Sequence, residues 1–145
     1  PSRPQKSQMT SYGLIDWQNV EKLTQKVISD FDVQTPSSRM LAKSLSGGNL
    51  QKSMVGRELI QNPDLLIVAQ PTWGVDAGSA NNIHQALIVL ADKGSAILII
   101  SQDLDEILSL CEQIHVLSEG SLSAAVDMNE NGLEIISQLM VGSKD

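Results

Sequence analysis

Residues 45–52 read Leu-Ser-Gly-Gly-Asn-Leu-Gln-Lys, the most informative stretch of this 145-residue chain. Ser46 stands where a helix over Asn49–Ile60 is predicted to begin, and its hydroxyl can accept hydrogen bonds from free backbone N–H groups of the first turn. Gly47 and Gly48 carry no side chain, so an anion can approach those N–H groups at the positive end of the helix dipole. Because Ser-Gly-Gly is also an ordinary loop-to-helix junction, this phosphate-contacting interpretation depends on what lies downstream.

Two short apolar runs after this octet predict strands of a parallel sheet. The first, residues 64–69, reads Asp-Leu-Leu-Ile-Val-Ala between Asn62-Pro63 and Pro71, and its continuous apolar character predicts a strand buried on both faces. The second is Ala96–Ile100, and a helical pattern over about Ala80–Asp92 connects the two. This alternation predicts an α/β fold.

The rest of the chain adds helices before the octet and mixed elements after the second strand. Asp16 is the expected N-cap of an amphipathic helix that runs to about Asp30, and Asp103 is the expected N-cap of a short helix. The remaining predictions, in chain order, are a loop or disordered stretch over Pro1–Ser11, strands near Gln113–Leu117 and Leu122–Val126 joined by a turn at Gly120, and a closing helix over Leu133–Met140.

The overall composition excludes some classes of function. A net charge of −7 and a pI near 4.7 argue against a nucleic-acid-binding surface, which needs clustered lysine and arginine. The single cysteine, Cys111, cannot form an internal disulfide, which fits a reducing cytosol. No apolar run approaches the roughly 20 residues that cross a bilayer, so we expect any membrane association to come through a partner.

In order and spacing, four segments resemble the nucleotide-binding domain of ATP-binding cassette (ABC) transporters. They are a signature segment at Leu45–Lys52, a Walker B strand at Leu65–Gln70, a D-loop at Gly74–Asp76 and a switch position at Gln102. The resemblance covers nearly the whole chain and is strongest from Ser44 to Gly120. It is greatest to the second cassette of simple-sugar and nucleoside importers, whose ATPase subunits carry two cassettes in one polypeptide.

This resemblance implies a specific version of the α/β fold. Residues 63–145 would form part of a P-loop NTPase (RecA-like) core that lacks the Walker A strand, and residues 1–62 a small α-helical subdomain that carries the signature segment. None of the ten glycines precedes a lysine, so the chain has no Gly-x-x-x-x-Gly-Lys-Ser/Thr loop to wrap the β- and γ-phosphates. We therefore expect the isolated chain not to bind ATP tightly.

The chain departs from the family pattern at the positions that catalyse hydrolysis. Active cassettes end the Walker B strand in Asp then Glu, where this chain has Ala69 and Gln70, and they usually carry His at the switch position, where it has Gln102. An alanine cannot coordinate Mg²⁺ through water, and an amide cannot accept a proton from water near neutral pH. We therefore assign no catalytic residue and no metal ligand to this chain.

The resemblance also implies a role in trans. Two cassettes meet head to tail in the family, and the signature of one closes over Mg-ATP held by the Walker A loop of the other. The residues implicated in nucleotide contact are Ser46, Gly47, Gly48, Asn49, Gln51 and Asp76, with Asp76 bridging the two halves. The implied partners are a second nucleotide-binding domain and integral membrane permease subunits, on the cytoplasmic face of a bacterial membrane.

Other interpretations of the whole chain stay open. One is a non-hydrolytic regulatory half-cassette that mainly binds partner domains. Another is an ATPase of chromosome maintenance or DNA repair, ranked last because those proteins carry long heptad coiled coils, whereas the helix Asp16–Asp30 is short. The family's strand order would also leave Ala96–Ile100 with an exposed edge, so we expect the isolated chain to self-associate, which sedimentation would reveal.

Several single residues are of a type that can be functional, but a packing or capping role explains each of them. Trp73 could cover a subunit contact, although packing against the core is the more frequent use of such a ring. The spacing of Met54 along its predicted helix indicates a position in the core. His84 and His115 lie inside a helix and a strand and receive no role. The acidic group at Asp103, Asp105 and Glu106 is expected to cap a helix rather than to bind a cation.

Overall fold

The structure, a computed structural model, describes residues 9–11, 14–126 and 132–141. By its internal contacts the chain divides into two units, Pro1–Gln102 and Asp103–Asp145. The predicted boundary between a helical part and an α/β part, at residues 62 and 63, falls inside the first unit and stays a prediction. Most of the predicted loop Pro1–Ser11 and the pair Tyr12-Gly13 lie outside the described residues. The described end of that loop is instead a strand, Thr10–Ser11, because it pairs with Leu14–Ile15.

The first unit contains a helical region followed by a parallel strand pair with a crossover helix. Its elements in chain order are β1 (Thr10–Ser11), β2 (Leu14–Ile15), α1 (Trp17–Asp30), a 3-10 turn (Ala42–Ser44), α2 (Gly47–Ile60), β3 (Leu65–Ala69), α3 (Ala77–Asp92) and β4 (Ala96–Ile100). The β3–α3–β4 order is the parallel crossover unit expected of an α/β fold, and it confirms the predicted fold class.

Strands β3 and β4 pair in parallel along their whole length. The register runs from Leu65 opposite Ala96 to Ala69 opposite Ile100, and the Gln70 amide extends the ladder by donating to the Ile100 carbonyl at 2.8 Å. Both strands have the predicted bounds to within one residue. The carboxyl ends of the two strands therefore lie side by side, and the residues that follow them emerge at the same edge of the sheet.

The prediction that β3 is buried on both faces is wrong. Its alternate residues differ sharply: Leu66 is buried, whereas Leu65 and Ile67 are about 60 and 62% exposed. Leu98 and Ile100 of β4 are also exposed. Within the first unit, helices cover one face of the strand pair and leave the other apolar face in solvent. The predicted self-association of the isolated chain stays a prediction.

Helix α1 begins and ends where the sequence indicates. The Asp16 carboxylate accepts hydrogen bonds from the Gln18 and Asn19 amides at 3.1 Å, which confirms the predicted N-cap. The buried apolar residues of the first unit come from α1, the loop after it, α2, β3 and α3, and they are Val27, Phe31, Val33, Val55, Leu59, Leu66, Ile83, Leu87 and Leu90. Met54 does not join this core, contrary to its spacing, because it lies on the half-exposed side of α2.

The second unit has its own small core. It contains α4 (Leu104–Leu110), β5 (Leu117–Ser118), β6 (Ser121–Leu122) and α5 (Gly132–Val141), packed around Ile114, Val116, Val126 and Ile136. Asp103 caps α4 by accepting from the Glu106 amide at 3.1 Å, as predicted. The predicted strands are shorter than expected, because regular pairing is confined to the residues around a tight turn in which Glu119 and Gly120 both have positive φ. No helix in the described parts of the chain is long and apolar enough to cross a membrane.

Candidate functional site

The start of α2 is an open helix N-terminus. Ser46 has extended backbone geometry and caps the helix, accepting from the Asn49 amide at 3.4 Å and from the Asn49 side-chain amide at 2.9 Å. Ser46 and Gly47 are both exposed, and a Cβ atom at Gly47 would meet no atom within 4 Å. The first free N–H groups of α2 are therefore accessible to a ligand from solvent, at the positive end of the helix dipole.

Gly48, unlike Gly47, lies against another segment of the chain. A Cβ atom at Gly48 would lie 2.7 Å from the carbonyl oxygen of Gly74, closer than such atoms can approach. Gly74 itself has φ of +71°, which glycine adopts without strain. The missing side chain at Gly48 thus lets the D-loop backbone lie directly against the first turn of α2.

Gln51 makes a second connection between α2 and the segment after β3. Its side-chain amide donates to the carbonyl oxygens of Gln70 and Pro71, at 2.9 and 3.1 Å. Gln70 has φ of +50°, an uncommon conformation for a residue with a side chain, and the Trp73 amide also donates to its carbonyl. Because several hydrogen bonds hold Gln70, its backbone conformation is fixed by its surroundings rather than by its own preference.

A second set of contacts joins α2 to the loop that follows α1. The side-chain oxygen of Asn49 accepts from the Gln34 amide at 2.8 Å, and the ammonium group of Lys52 donates to the Asp32 carbonyl at 2.6 Å. Lys52 is only about 5% exposed. One turn later, Gly56 lies where a Cβ atom would be 2.5 Å from the Phe31 ring. Helix α2 is therefore fixed by two sets of contacts, and its start is held in place by both.

Asp76, the last residue of the D-loop, caps α3. Its two carboxylate oxygens accept from the Ser79 amide at 2.9 Å and from the Ser79 hydroxyl at 2.6 Å. These hydrogen bonds from Ser79 hold the pKa of Asp76 below its ordinary value. The carboxylate is thus kept ionised and oriented at the end of the turn that contacts Gly48.

The strand ends carry no carboxylate where β3 and β4 emerge together. Ala69 ends β3, Gln70 follows it, and the exposed Gln102 lies two residues beyond β4. The described residues contain no group of three or more acidic, histidine or cysteine side chains that could hold a metal ion. An amide at this edge can orient water but cannot take its proton, so these residues do not fit direct metal ligation or general-base chemistry.

The structure brings the predicted site residues into one continuous region of the first unit. Ser46, Gly47 and Gly48 form the helix start, and Gly48 joins it to the D-loop, which ends at Asp76. Asn49 and Gln51 lie in the same region, but their polar atoms bond to Ser46, Gln34, Gln70 and Pro71 within the chain. Their predicted nucleotide contact, like that of the other four residues, stays a prediction.

Three features of this region, at Lys52, Trp73 and Gly56, were not predicted from the sequence. Lys52 was included in the octet without a role, and its burial against the Asp32 carbonyl could not be read from spacing alone. Trp73 was expected to pack in the core, and this is wrong: its side chain is 73% exposed. Gly56 gave a usable signal, because a glycine inside a helix often marks a close packing contact.

Comparison with known proteins gives one consistent class of relative. The chain is 40% identical over 137 residues to the nucleoside import ATP-binding protein NupA of Lactococcus lactis subsp. cremoris, covering 94% of this chain and 27% of that protein. It is 40% identical over 138 residues to the guanosine import ATP-binding protein NupO of Bacillus subtilis, covering 95% and 27%. It is 39% identical over 133 residues to the galactose/methyl galactoside import ATP-binding protein MglA of Clostridium perfringens, covering 92% and 26%. The chain thus spans about a quarter of the length of these relatives.

Solved structures show the same fold. The dimeric ATP-binding cassette MJ0796 in a post-hydrolysis state with ADP and Pi superposes with a TM-score of 0.69 at 20% identity, over 82% of this chain and 51% of that one. The ATP-binding cassette MJ1267 superposes with a TM-score of 0.63 at 29% identity, over 86% and 49%. No protein-family model matches the chain. Its sequence relatives and its fold together identify this chain as a member of the ATP-binding cassette family, homologous to import ATP-binding proteins for nucleosides and sugars.

Proposed function

We propose that this chain supplies the signature segment of a composite ATP site in an importer of simple sugars or nucleosides. Mg-ATP is held mainly by a partner cassette, in the same polypeptide or in a second copy, and the start of α2 closes over its γ-phosphate. The names of the relatives, which are import ATP-binding proteins for nucleosides, guanosine and galactosides, support this class of transported solute.

One contrast within the first unit carries the proposal. The Ser46–Gly47 helix start is open to solvent and presents backbone N–H groups at the positive end of the helix dipole, whereas Ala69, Gln70 and Gln102 at the strand ends are not acidic. A chain with both features can assist phosphoryl transfer at a neighbouring site better than it can perform it at its own. In phosphoryl transfer such assistance is electrostatic stabilisation and positioning.

Each predicted residue has a role in this proposal. Ser46 and the backbone N–H groups after it donate to the γ-phosphate, and Gly47 leaves the approach clear. Gly48 places the D-loop against the helix, so that Asp76 bridges the two cassettes. Asn49 and Gln51 hold the helix start in position through hydrogen bonds. The Asn49 side-chain amide donates to the Ser46 hydroxyl, and the Gln51 side-chain amide donates to the Gln70 and Pro71 carbonyls.

Other components supply what this chain lacks for ATP hydrolysis and transport. The partner cassette provides the phosphate-wrapping loop, the metal site and the base that activates water. Integral permease subunits provide the path across the membrane and anchor the ATPase to its cytoplasmic face. The subunit is therefore an ATPase only as an assembly, and this chain alone hydrolyses no ATP.

A non-hydrolytic regulatory half-cassette is the second candidate. The observation that favours it is the internal hydrogen bonding of Gln51 and Asn49, which gives these amides a structural use without any nucleotide. The two candidates differ in one measurable respect: only the composite-site proposal requires the helix start of α2 for ATP turnover.

The test is Gly47→Asp in the assembled importer. An aspartate at the first position of a helix interacts favourably with the dipole, and the structure leaves room for its Cβ, so the unfolding temperature should stay the same or rise. The same carboxylate would face the γ-phosphate, where repulsion of about 4 kcal/mol at a separation near 4 Å predicts a loss of ATPase activity of about 100-fold or more.

The control is Gly47→Asn, which has nearly the same shape and no charge. We expect it to retain more activity than Gly47→Asp, because charge is the main obstacle in the proposal. Ser46 is a less informative position, since its replacement would also remove the helix cap. If Gly47→Asp turned over ATP at the normal rate with its fold intact, the composite-site proposal would be contradicted and the regulatory candidate favoured.

A further inference from the structure

The side-chain amide of Asn49 connects the loop after α1 to the helix cap Ser46. Its oxygen Oδ1 accepts a hydrogen bond from the Gln34 backbone amide at 2.8 Å, and its nitrogen Nδ2 donates to the Ser46 hydroxyl oxygen at 2.9 Å. Gln34 lies 15 positions before Asn49 in the chain. The orientation of the Asn49 amide is therefore set by the folded structure rather than by the octet alone.

The Gln34 contact determines which end of the Asn49 amide faces Ser46. A backbone N–H group can only donate, so the Asn49 atom beside the Gln34 amide must be the carbonyl oxygen. The group that faces Ser46 is then the NH2 group, which has no capacity to accept. A flipped amide would place two donors against each other at Gln34 and lose that hydrogen bond. Asn49 therefore meets Ser46 only as a donor.

This orientation restricts what the Ser46 hydroxyl can do. A serine hydroxyl carries one hydrogen and two acceptor lone pairs. The Ser46 oxygen accepts from the Asn49 backbone amide at 3.4 Å and from the Asn49 side chain at 2.9 Å, which occupies both lone pairs. Within the part of the chain that the structure describes, no residue accepts the Ser46 hydrogen. The hydroxyl can therefore bond a ligand only by donating to it.

We propose that Asn49 is a positioning residue that keeps the Ser46 hydroxyl a donor toward the γ-phosphate. The inference rests on the proposed function and adds a rule of selection to it, since the hydroxyl can bond an ionised phosphoryl oxygen but not another donor. Without the Asn49 amide, one lone pair of Ser46 is open and the hydroxyl can turn to bond water. A donor that is already oriented needs no rearrangement as charge develops on the phosphate, so Asn49 contributes to turnover through Ser46.

A double-mutant cycle in the assembled importer tests this role. Asn49→Leu removes the donor and nearly keeps the shape, and water can replace it at the exposed Gln34 amide. Ser46→Gly removes the hydroxyl, and glycine is itself a tolerated N-cap residue. With little change in the KM for ATP, we expect kcat to fall about tenfold or more in Ser46→Gly and about three- to tenfold in Asn49→Leu. In the Ser46→Gly background, Asn49→Leu should lower kcat less than about twofold, because the two residues act as a unit.

Phe31→Leu is the matched control for the loop after α1. The Phe31 ring packs against Gly56 of α2, so this variant loosens the same loop without a change at Ser46. It should lower the unfolding temperature and leave kcat unchanged.

Four results would overturn the inference: normal kcat in Ser46→Gly, normal kcat in Asn49→Leu, an equal effect of Asn49→Leu in both backgrounds, or a matching loss of kcat in Phe31→Leu. The proposed function fails separately, through normal turnover in Gly47→Asp. If Gly47→Asp abolishes turnover while Asn49→Leu has no effect, the composite site stands and Asn49 has no positioning role in it.

Discussion

At the residue scale, three glycines of α2 have three different reasons to be glycine. Gly47 leaves open space above the helix start, since an added Cβ atom would meet no other atom within 4 Å. Gly48 admits the Gly74 carbonyl, and Gly56 admits the Phe31 ring, so both serve packing within the chain. In the proposal, the two adjacent glycines of the motif therefore have different roles: Gly47 leaves the helix start open to the nucleotide, and Gly48 serves packing.

A comparison of two alanine substitutions tests this division. Gly48→Ala should destabilise the protein by about 1–3 kcal/mol, because its Cβ would lie 2.7 Å from a backbone oxygen that cannot rotate away. Gly47→Ala should be neutral or stabilising by up to about 1 kcal/mol, since the new methyl group meets no neighbour and restricts the unfolded chain. Chemical denaturation of the two variants and the parent measures both effects. Equal loss of stability in the two would contradict the assignment.

At the scale of the element, side-chain caps define where the helices of the first unit start. Asp16 caps α1, Ser46 caps α2 and Asp76 caps α3, each by accepting from an amide of the first turn. The Asp76 cap is coupled to function in the proposal, because this residue closes the turn that contacts Gly48. Its geometry should depend on whether the carboxylate is ionised.

The pH dependence of stability tests the Asp76 cap. Hydrogen bonds from Ser79 lower the pKa of Asp76 in the folded state below the unfolded value of about 3.8. These hydrogen bonds therefore add to the free energy of unfolding in full above the unfolded pKa. This stabilisation is lost as the pH falls through the lower pKa of the folded state. Asp76→Asn should lower the unfolding temperature at pH 7. Below pH 4, the variant should lose less stability on acidification than the parent protein does. Parallel curves for parent and variant would argue against the cap.

Patterns local in sequence predicted these elements well, and long-range packing limited the prediction. The bounds of β4, the caps of α1 and α2 and the turn at Gly120 follow from residue types within a few positions of each other. Helix α3 begins three residues before its predicted start, at the residue that follows its cap Asp76. Its first turn reads Ala-Gly-Ser and does not show the apolar periodicity from which the helix was predicted. The exposure of Ile67 and Trp73 depends on what packs against them, which an apolar run cannot specify.

The same limit applied to the candidate site. The order of the signature segment, Walker B strand and D-loop could be read along the chain, because each has its own residue types at a fixed spacing. The contacts that join them could not: Gln51 reaches Gln70 across 19 positions, and Lys52 reaches Asp32 across 20. These bonds are set by how α2 packs between the α1 loop and β3, which only the folded chain reveals.

At the scale of the whole molecule, the proposal divides one reaction between two protein surfaces. This chain presents an open helix start, an ordered D-loop and an exposed Trp73, and it lacks acidic groups at the strand ends. The exposed apolar face of β3 and β4 is a further surface with no cover in the first unit. Both surfaces fit a chain that functions against other folded domains rather than in isolation.

Photolabelling with an ATP analogue reactive at the γ-phosphate tests the composite site most directly. Trypsin separates the relevant segments, since cleavage after Lys43, Lys52, Arg57 and Lys93 gives the peptides 44–52, 58–93 and 94–144. The first contains the helix start, the second contains Ala69, Gln70 and Asp76, and the third contains Gln102. Mass spectrometry of the assembled importer then identifies which peptide carries the label.

The account predicts label on residues 44–52, dependent on the partner cassette and abolished by Gly47→Asp. Label on residues 58–93 or 94–144 in place of 44–52, or efficient labelling of this chain without a partner, would contradict it.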